Sequence, residues 1–448
     1  MTAQLWQPTA DQVARSNLAA FMRFLQERGQ PPMSDYAAHY RWSVSEPAAF
    51  WSNAWDFCGV VASRRFDTVV EHYDRMPGAR WFPGARLNYA ENLLRFHDDR
   101  EAIVFTDECG RRSALTYREL GNIVARKAQA LRELGVGPGD RVAGFLPNIP
   151  EAVIAMLAAA SLGAVWSSCS PDFGVQGVVD RFGQVEPKVL FAVDGYVYVG
   201  RRVETLERVR QIVERIQSIE CVVVVPFLDP PPADRETIPG AIDWRRFEPS
   251  GEAGPIAFEQ LPSEHPLYIL YSSGTTGPPK CIVHTAGGIL LKHLTEHVFH
   301  GDLTRDDRLF FFTTTGWMMW NWLVSGLAVG CTVVLYDGSA FTPRPDALFD
   351  LAQRERLTVF GVSPKYLSTI EKLRLEPART HDLSSLRAIL STGSPLNGEN
   401  FDYVYRSVKT DVRLSSISGG TDLCGCFATG NPIGPVYRGE LQCRALGV

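Results

Sequence analysis

Eleven consecutive residues carry the most informative chemistry in this 448-residue chain: Leu270-Tyr271-Ser272-Ser273-Gly274-Thr275-Thr276-Gly277-Pro278-Pro279-Lys280. Gly274 and Gly277 lack side chains, so backbone N–H groups there can approach a ligand closely. Ser272, Ser273, Thr275 and Thr276 supply hydroxyls beside them, and Lys280 closes the loop with a positive charge. Such a set suits an oxyanion, most naturally the triphosphate of a nucleotide. It is not a Walker A loop. Counting from Gly274, Pro279 stands where that pattern needs glycine and Cys281 where it needs Ser or Thr. A surface loop would have a similar composition, because Gly, Ser, Thr and Pro dominate loops for conformational reasons. The segment by itself leaves both readings open.

Other reactive constellations are weaker. Cys424-Gly425-Cys426 could be half of a metal site, but no second Cys/His pair stands at ligand spacing, and zinc wants four ligands. Small packing residues are the expected reading there. The chain lacks a Gly-x-Ser-x-Gly elbow. Nine cysteines are an odd, scattered set, a poor disulfide framework that points to a reducing, cytoplasmic compartment. Lys and Arg total 45 against 50 Asp and Glu, giving 45 − 50 = −5. Without a concentrated basic face, nucleic acid is not an expected partner. The longest apolar run, Ala152 to Ala160 and on to Trp166 after Ser161, falls short of the ~20 residues a bilayer demands. No membrane partner and no signal peptide are expected, since Gln4, Gln7, Asp11 and Arg15 interrupt the N-terminus.

The elements that must position the loop read as α/β. Apolar runs at Arg141–Leu146, Ala164–Ser168, Val189–Val193, Cys221–Phe227, Leu267–Tyr271, Thr332–Tyr336, Leu357–Val362 and Leu386–Ser391 alternate with helical stretches. Nearly continuous apolar strands are buried on both faces, which means mainly parallel sheets covered by helices. Thr116-Tyr117-Arg118-Glu119 is a capping box that opens a helix with Leu120, Ile123, Val124, Ala128 and Leu131 on one face. Pro147 to Pro150 starts another. Another helical stretch is expected near Thr285. Residues 1–95, rich in tryptophan, read as helices and loops wrapped on a larger body. The Pro- and Gly-rich segment 228–266 is the expected subdomain break within 96–448.

The loop resembles the phosphate-loop signature of the acyl-adenylate-forming (AMP-binding) superfamily. Three further segments match in order: Thr315-Gly316-Trp317, an aromatic motif lining the acyl pocket; Gly393-Ser394-Pro395, a turn that packs on adenine; and Ser418-Gly419-Gly420-Thr421-Asp422, here Thr-Asp where the family usually has Thr-Glu. Tyr40 to Val44 with Phe50-Trp51, then Trp81 to Leu94, resemble the N-terminal extension of the acetyl-CoA synthetase branch. Ser415 to Cys424 and Tyr437 to Cys443 are most similar to the ligases of that branch that take acetoacetate. The implied fold is the large N-terminal domain of such an enzyme. It has two helix-covered sheets in stacked subdomains plus the start of a small β-barrel.

The resemblance implies that an acid attacks the α-phosphorus of ATP to give acyl-AMP and pyrophosphate, and that the thiol of coenzyme A then displaces AMP. Lys280, Thr276 and Asp422 would be catalytic. Ser272, Ser273, Gly274, Thr275, Thr276, Gly277 and Lys280 would hold phosphates, Ser418, Gly420 and Thr421 would contact the nucleotide, and Gly393, Ser394 and Pro395 would offer adenine a ledge. Asp422 would hold Mg²⁺, although a turn cap is the plain alternative for it. Trp317, Met318, Met319, Trp320, Thr392 and Gly419 would line the acyl pocket; Met318-Met319 could equally be core. Acetate-specific relatives carry Trp at the position of Gly419, so its hydrogen would leave room for a longer chain such as acetoacetate. Arg181 would touch the coenzyme A nucleotide or be a solvated surface group, and His284 reads as a structural hydrogen-bonding residue.

The family's later Tyr-x-Thr-Gly-Asp motif, hinge and small C-terminal domain with its adenylation lysine do not occur in the sequence. The chain is therefore expected to be part of a longer enzyme and, alone, a weak catalyst. A ligase for propionate, butyrate or 3-hydroxybutyrate, and a non-catalytic nucleotide-binding domain, are the alternatives left open.

Overall fold

A computed structural model describes residues 2–232, 238–272 and 277–448. Two seven-stranded sheets dominate it. The first runs Ile242–Asp243, Cys221–Val225, Val189–Val193, Arg141–Phe145, Val165–Cys169, Pro266–Ser272, Lys280–Thr285 from edge to edge. The second runs Arg413–Ser416, Ala388–Ser391, Val359–Val362, Arg308–Phe311, Thr332–Asp337, Glu101–Asp107, Arg112–Thr116. Neighbours are parallel in both sheets except at one edge of each, where a hairpin pairs antiparallel. The expected parallel, helix-covered α/β architecture is the observed one.

Burial explains why these runs became strands. Every residue of Val165–Cys169, Val189–Val193, Val359–Val362 and Ala388–Ser391 is buried, as strands covered on both faces require. The run that opens Ala152-Val153-Ile154 is the helix Pro150–Ser161, buried at every position except Glu151. Its all-round apolar surface fits a helix enclosed by protein. Thr116 forms the expected capping box: its N–H donates to Glu119 Oε2 at 2.8 Å and its Oγ1 accepts from Glu119 N–H at 3.1 Å. Among the described residues, no helix is long and apolar enough to cross a membrane.

The segment 228–266 corrects one expectation. It does not separate the two sheets. The first sheet takes strands from both sides of it and one, Ile242–Asp243, from inside it. The chain passes between sheets elsewhere, after Thr116 and again after Thr285, because Glu101–Asp107 and Arg112–Thr116 join strands that begin only at Arg308. Proline and glycine mark turns, and turns need not be boundaries. A third, small antiparallel sheet of Ser418–Gly420, Gly425–Thr429 and Cys443–Arg444 lies where the start of a barrel was expected.

The N-terminal segment is part of the core. Helices Asn17–Glu27, Tyr36–Ser45 and Pro47–Phe57 contribute Leu18, Phe21, Phe50 and Trp55 to an apolar cluster that also contains residues of both large sheets. Phe21 stacks on Phe299 with ring centroids 4.3 Å apart. Asn17 N–H donates to Asp302 Oδ1 at 2.7 Å, and Gln4–Trp6 pairs antiparallel with Val436–Tyr437. Phe21→Ala is therefore expected to lower unfolding free energy by about 3–5 kcal/mol, as truncation of an enclosed aromatic does. A denaturant titration followed by tryptophan fluorescence measures it; a loss below about 1 kcal/mol would mean that these helices pack loosely on the sheets.

Candidate active site

Ser272 and Lys280 face each other across an antiparallel pair: Tyr271 opposes Cys281 and Ser272 opposes Lys280. Pro266–Ser272 and Lys280–Thr285 therefore form an antiparallel edge pair of the first sheet. The strand Lys280–Thr285 stands between the glycine- and hydroxyl-rich segment and the helix Ala286–Thr295. Ser273, Gly274, Thr275 and Thr276 lie outside the described residues. Gly277 has φ 94°, a left-handed conformation that glycine adopts without steric cost. Lys280 is exposed beyond it.

Helix Val175–Val185 braces this hairpin. Gln184 Nε2 donates to Pro279 O at 2.9 Å, and the Arg181 guanidinium lies 5.5 Å from the Tyr271 ring and 4.7 Å from Phe173. Arg181 also donates to Gly177 O at 2.7 Å. It is neither fully solvated nor inside the acyl cavity; it sits at the base of the hairpin.

A cavity of about 510 Å³ collects the other motifs. Trp317, Met318, Met319 and Thr392 line it together with Gly393, Ser394, Pro395, Ser418, Gly419, Gly420 and Thr421. Hydrogen bonds hold these separate segments in place. Thr315 Oγ1 donates to Leu146 O at 2.6 Å, and Thr315 O accepts from Ser168 Oγ at 2.7 Å, so the aromatic motif is pinned to the first sheet. Thr392 Oγ1 donates to Ile417 O at 2.9 Å, tying the turn at 393–395 to the segment ending in Thr421. A Cβ on Gly393 would come 3.3 Å from the Trp317 indole, and its φ is 102°. Both facts require glycine there.

The cavity meets the hairpin through His284. This buried imidazole lies against the backbone of Thr421 and near the Asp422 carboxylate. Burial lowers its proton affinity below the ordinary value, while Thr421 and Asp422 work the other way. His284 Nε2 has no hydrogen-bond partner among the described residues. Asp422 itself is exposed and does not line the cavity. An exposed carboxylate such as that of Asp422 is the kind of ligand magnesium accepts, since that ion is held by one or two carboxylates plus phosphate oxygens and water. Cys424 and Cys426 are buried, and burial pushes both thiols up, so neither is a ready metal ligand. Among the described residues no group of three or more His, Cys, Asp or Glu could hold a metal ion.

Two sequence expectations change. Trp320 is fully buried and turned away, its Nε1 donating to Asn148 Oδ1 at 3.0 Å. Trp322 lines the cavity instead. Helical spacing could have found it, because Trp322 follows Met318 by four residues and Met319 by three, which places it on their face of the helix Met318–Ser325. Gly419 lines the cavity as expected, but its missing side chain does not point into free space. A Cβ there would collide with the Gly425 carbonyl and come 2.7 Å from Cys426 Cα. In this backbone the glycine permits close strand approach, and other walls set the width of the cavity. Glu296, Gly425, Cys426 and Leu441 complete those walls and were not foreseen.

Comparison with known proteins agrees with this arrangement. The family model described as AMP-binding enzyme matches residues 90–442, and that of the acetyl-coenzyme A synthetase N-terminus matches 36–93. The chain is 52% identical over 444 residues to an acetoacetyl-coenzyme A synthetase of Rhizobium meliloti (strain 1021), covering 99% of this chain and 68% of that protein. It is 47% identical to the Gallus gallus acetoacetyl-CoA synthetase, covering 93% and 63% respectively. A solved structure, acetoacetyl-CoA synthetase from Streptomyces lividans, superposes with a TM-score of 0.94 at 44% identity, covering 99% of this chain and 69% of that one. The fold is that of the AMP-binding enzymes. Within them, the chain belongs to the acetoacetyl-CoA synthetase family. It spans about two thirds of the length of these relatives.

The crowding at Gly419 makes a paired prediction. Gly419→Ala should lower thermal stability by several degrees, because the opposing group is backbone and cannot rotate away. Gly420→Ala should be nearly neutral, since its Cβ would meet nothing closer than Asp422 Oδ2 at 3.7 Å. Melting curves of the two variants decide; equal effects would contradict the strand approach described.

Proposed function

We propose that this chain is the nucleotide- and acyl-binding portion of an ATP-dependent acid–CoA ligase that activates acetoacetate through acetoacetyl-AMP and yields acetoacetyl-CoA, AMP and pyrophosphate. The observation that carries the reading is the single cavity shared by Trp317, Met318, Met319, the 393–395 turn and the 418–421 segment, with the hairpin of Lys280 at its edge. The acyl group would lie among the Met318, Met319 and Trp322 side chains, and adenine against Gly393-Ser394-Pro395.

The first half-reaction brings two anions together, so positioning and fixed positive potential supply most of the rate enhancement. Lys280 would hold the terminal phosphates, with Ser272, Thr275 and Thr276 donating hydroxyls and Gly274 and Gly277 offering backbone N–H groups. Thr421 would donate to the α-phosphate and Ser418 and Gly420 would border the nucleotide. Asp422 would hold Mg²⁺, whose charge offsets that of the triphosphate. His284, packed behind Thr421, would keep the hairpin and the Thr-Asp segment in register. Arg181, held on Tyr271 and Phe173, would meet the nucleotide of coenzyme A near the hairpin base. No protein nucleophile is needed, because the acid and the thiol provide both. Nine unpaired cysteines support a reducing, cytoplasmic setting.

Acetoacetate-dependent ATP–pyrophosphate exchange tests the reading, measured with this chain and with a form extended to the length of its relatives. The extended form should exchange, and Lys280→Ala should reduce the rate at least a hundredfold. Nucleotide binding without exchange on any short acid would instead support a sensing or partner-binding domain.

A further inference from the structure

Glu296 is the one charged side chain that lines the acyl cavity among the described residues. It sits at the start of the π-helical turn Glu296–His300 and is almost wholly buried. Two facing walls of the cavity and the preceding turn of its own helix meet on its carboxylate. Lys292 Nζ lies 3.1 Å from Oε1, and Cys426 N–H donates to the same oxygen at 2.9 Å. Trp322 Nε1 donates to Oε2 at 2.8 Å. Lys292 also donates to Cys426 O at 2.9 Å. Gly425 has no side chain because a Cβ there would press on Glu296 Oε1 and come 3.0 Å from Lys292 Cε. Oε1 therefore accepts two hydrogen bonds and Oε2 only one.

We propose that Glu296 makes the cavity selective for acids that carry a hydrogen-bonding oxygen on their third carbon, against unsubstituted acids of equal length. This inference rests on the function proposed above and names the chemistry of its acyl specificity. Burial disfavours the charged carboxylate, but the Lys292 ammonium and the Cys426 N–H outweigh it and keep the proton affinity below the ordinary carboxylate value. An ionised carboxylate with an acceptor position left over takes its last hydrogen bond from whatever occupies the cavity. A saturated alkyl chain offers none and excludes the water that could. Leaving a charged acceptor unmet corresponds to roughly 10- to 100-fold in binding. A 3-hydroxyl, or the enol form of a 3-oxo acid, donates an O–H to that position. Met318, Met319 and Trp322 supply apolar contact equally to either kind of acid and do not discriminate. The selectivity comes from the carboxylate.

Three four-carbon acids, acetoacetate, 3-hydroxybutyrate and butyrate, separate the possibilities by kcat/KM in ATP–pyrophosphate exchange with the extended form of the chain. Both oxygenated acids should exceed butyrate at least tenfold. In the double variant Glu296→Leu with Lys292→Met, which removes both charges so that neither is left unpaired, that ratio should fall towards one, chiefly through a gain for butyrate. The KM for ATP should stay within twofold. Glu296→Gln, which keeps the shape and removes the charge, should lower the ratio at least threefold and carries the test if the double variant does not fold. Equal use of butyrate by the unaltered protein, or an unchanged ratio in a folded variant, would overturn the inference while leaving the ligase function standing. Absence of exchange with every acid would overturn the ligase function and this inference with it.

Discussion

The site depends on a seam between two sheets that are built from interleaved stretches of chain. The hairpin that carries Lys280 belongs to the first sheet, and the strand Ala388–Ser391 that leads into the 393–395 turn belongs to the second. Among the described residues the cavity is lined from the second sheet, the helix Met318–Ser325 and the small antiparallel sheet, and the first sheet adjoins it. Buried polar groups fix how the two large sheets meet. Thr315 donates to Leu146 O beyond one first-sheet strand and accepts from Ser168 on its neighbour, while the fully enclosed Asn148 accepts from Trp320 Nε1. Each such bond adds only about 1 kcal/mol net, but leaving its partner unmet inside the protein costs about 1–3 kcal/mol. The larger effect is therefore on uniqueness. A slipped arrangement of the two sheets would strand several buried donors and acceptors at once.

Around that seam, backbone proximity does much of the shaping. At Gly393 the Trp317 indole packs against the place a side chain would occupy. At Gly419 the opposing strand carbonyl does the same. The result is a cavity bounded partly by peptide planes, which are stiff and present N–H and C=O groups at fixed positions. Side-chain walls come from Trp317, Met318, Met319, Trp322, Glu296 and Leu441, among others. Two thioethers among them can adjust to the occupant in a way that branched residues cannot.

Much of this was legible in the sequence. The continuous apolar run gave Val189–Val193 without error of either boundary, since a strand buried on both faces has no polar alternation to blur it. The motifs located Gly393, Ser394, Pro395, Ser418, Gly419, Gly420 and Thr421 at the cavity, because backbone and small side chains form that part of it and their spacing along the chain is constrained. The apolar end was harder. Trp320 and Trp322 differ only by two helix positions, and choosing between them requires knowing which face of the helix the cavity lies on. Gly419 invited a reading in terms of side-chain volume, whereas the constraint is a strand 425–429 whose approach no local pattern announces. Glu296 was invisible for a similar reason: a glutamate in Leu294-Thr295-Glu296-His297 reads as solvent-facing until the neighbours Lys292, Trp322 and Cys426 arrive from three elements. The Pro- and Gly-rich stretch misled in the opposite direction, because composition reports turns and not which sheet the chain returns to.

The Lys292–Glu296 pair is also informative about what shapes this cavity. Buried ion pairs generally give up more in desolvation than they return, and well-packed apolar replacements of similar volume are often as stable or more so. Stability alone therefore does not account for two charges one turn apart on a buried helical stretch at the edge of a small cavity. What the pair does provide is a carboxylate held rigidly by an indole N–H and a peptide N–H from two facing walls and by an ammonium from its own helix. Fixed groups of this kind recognise polarity well and tolerate apolar mismatch poorly, since they cannot move to recover a lost hydrogen bond. The same rigidity that makes the pair costly to fold makes it useful for telling a functionalised four-carbon chain from a plain one.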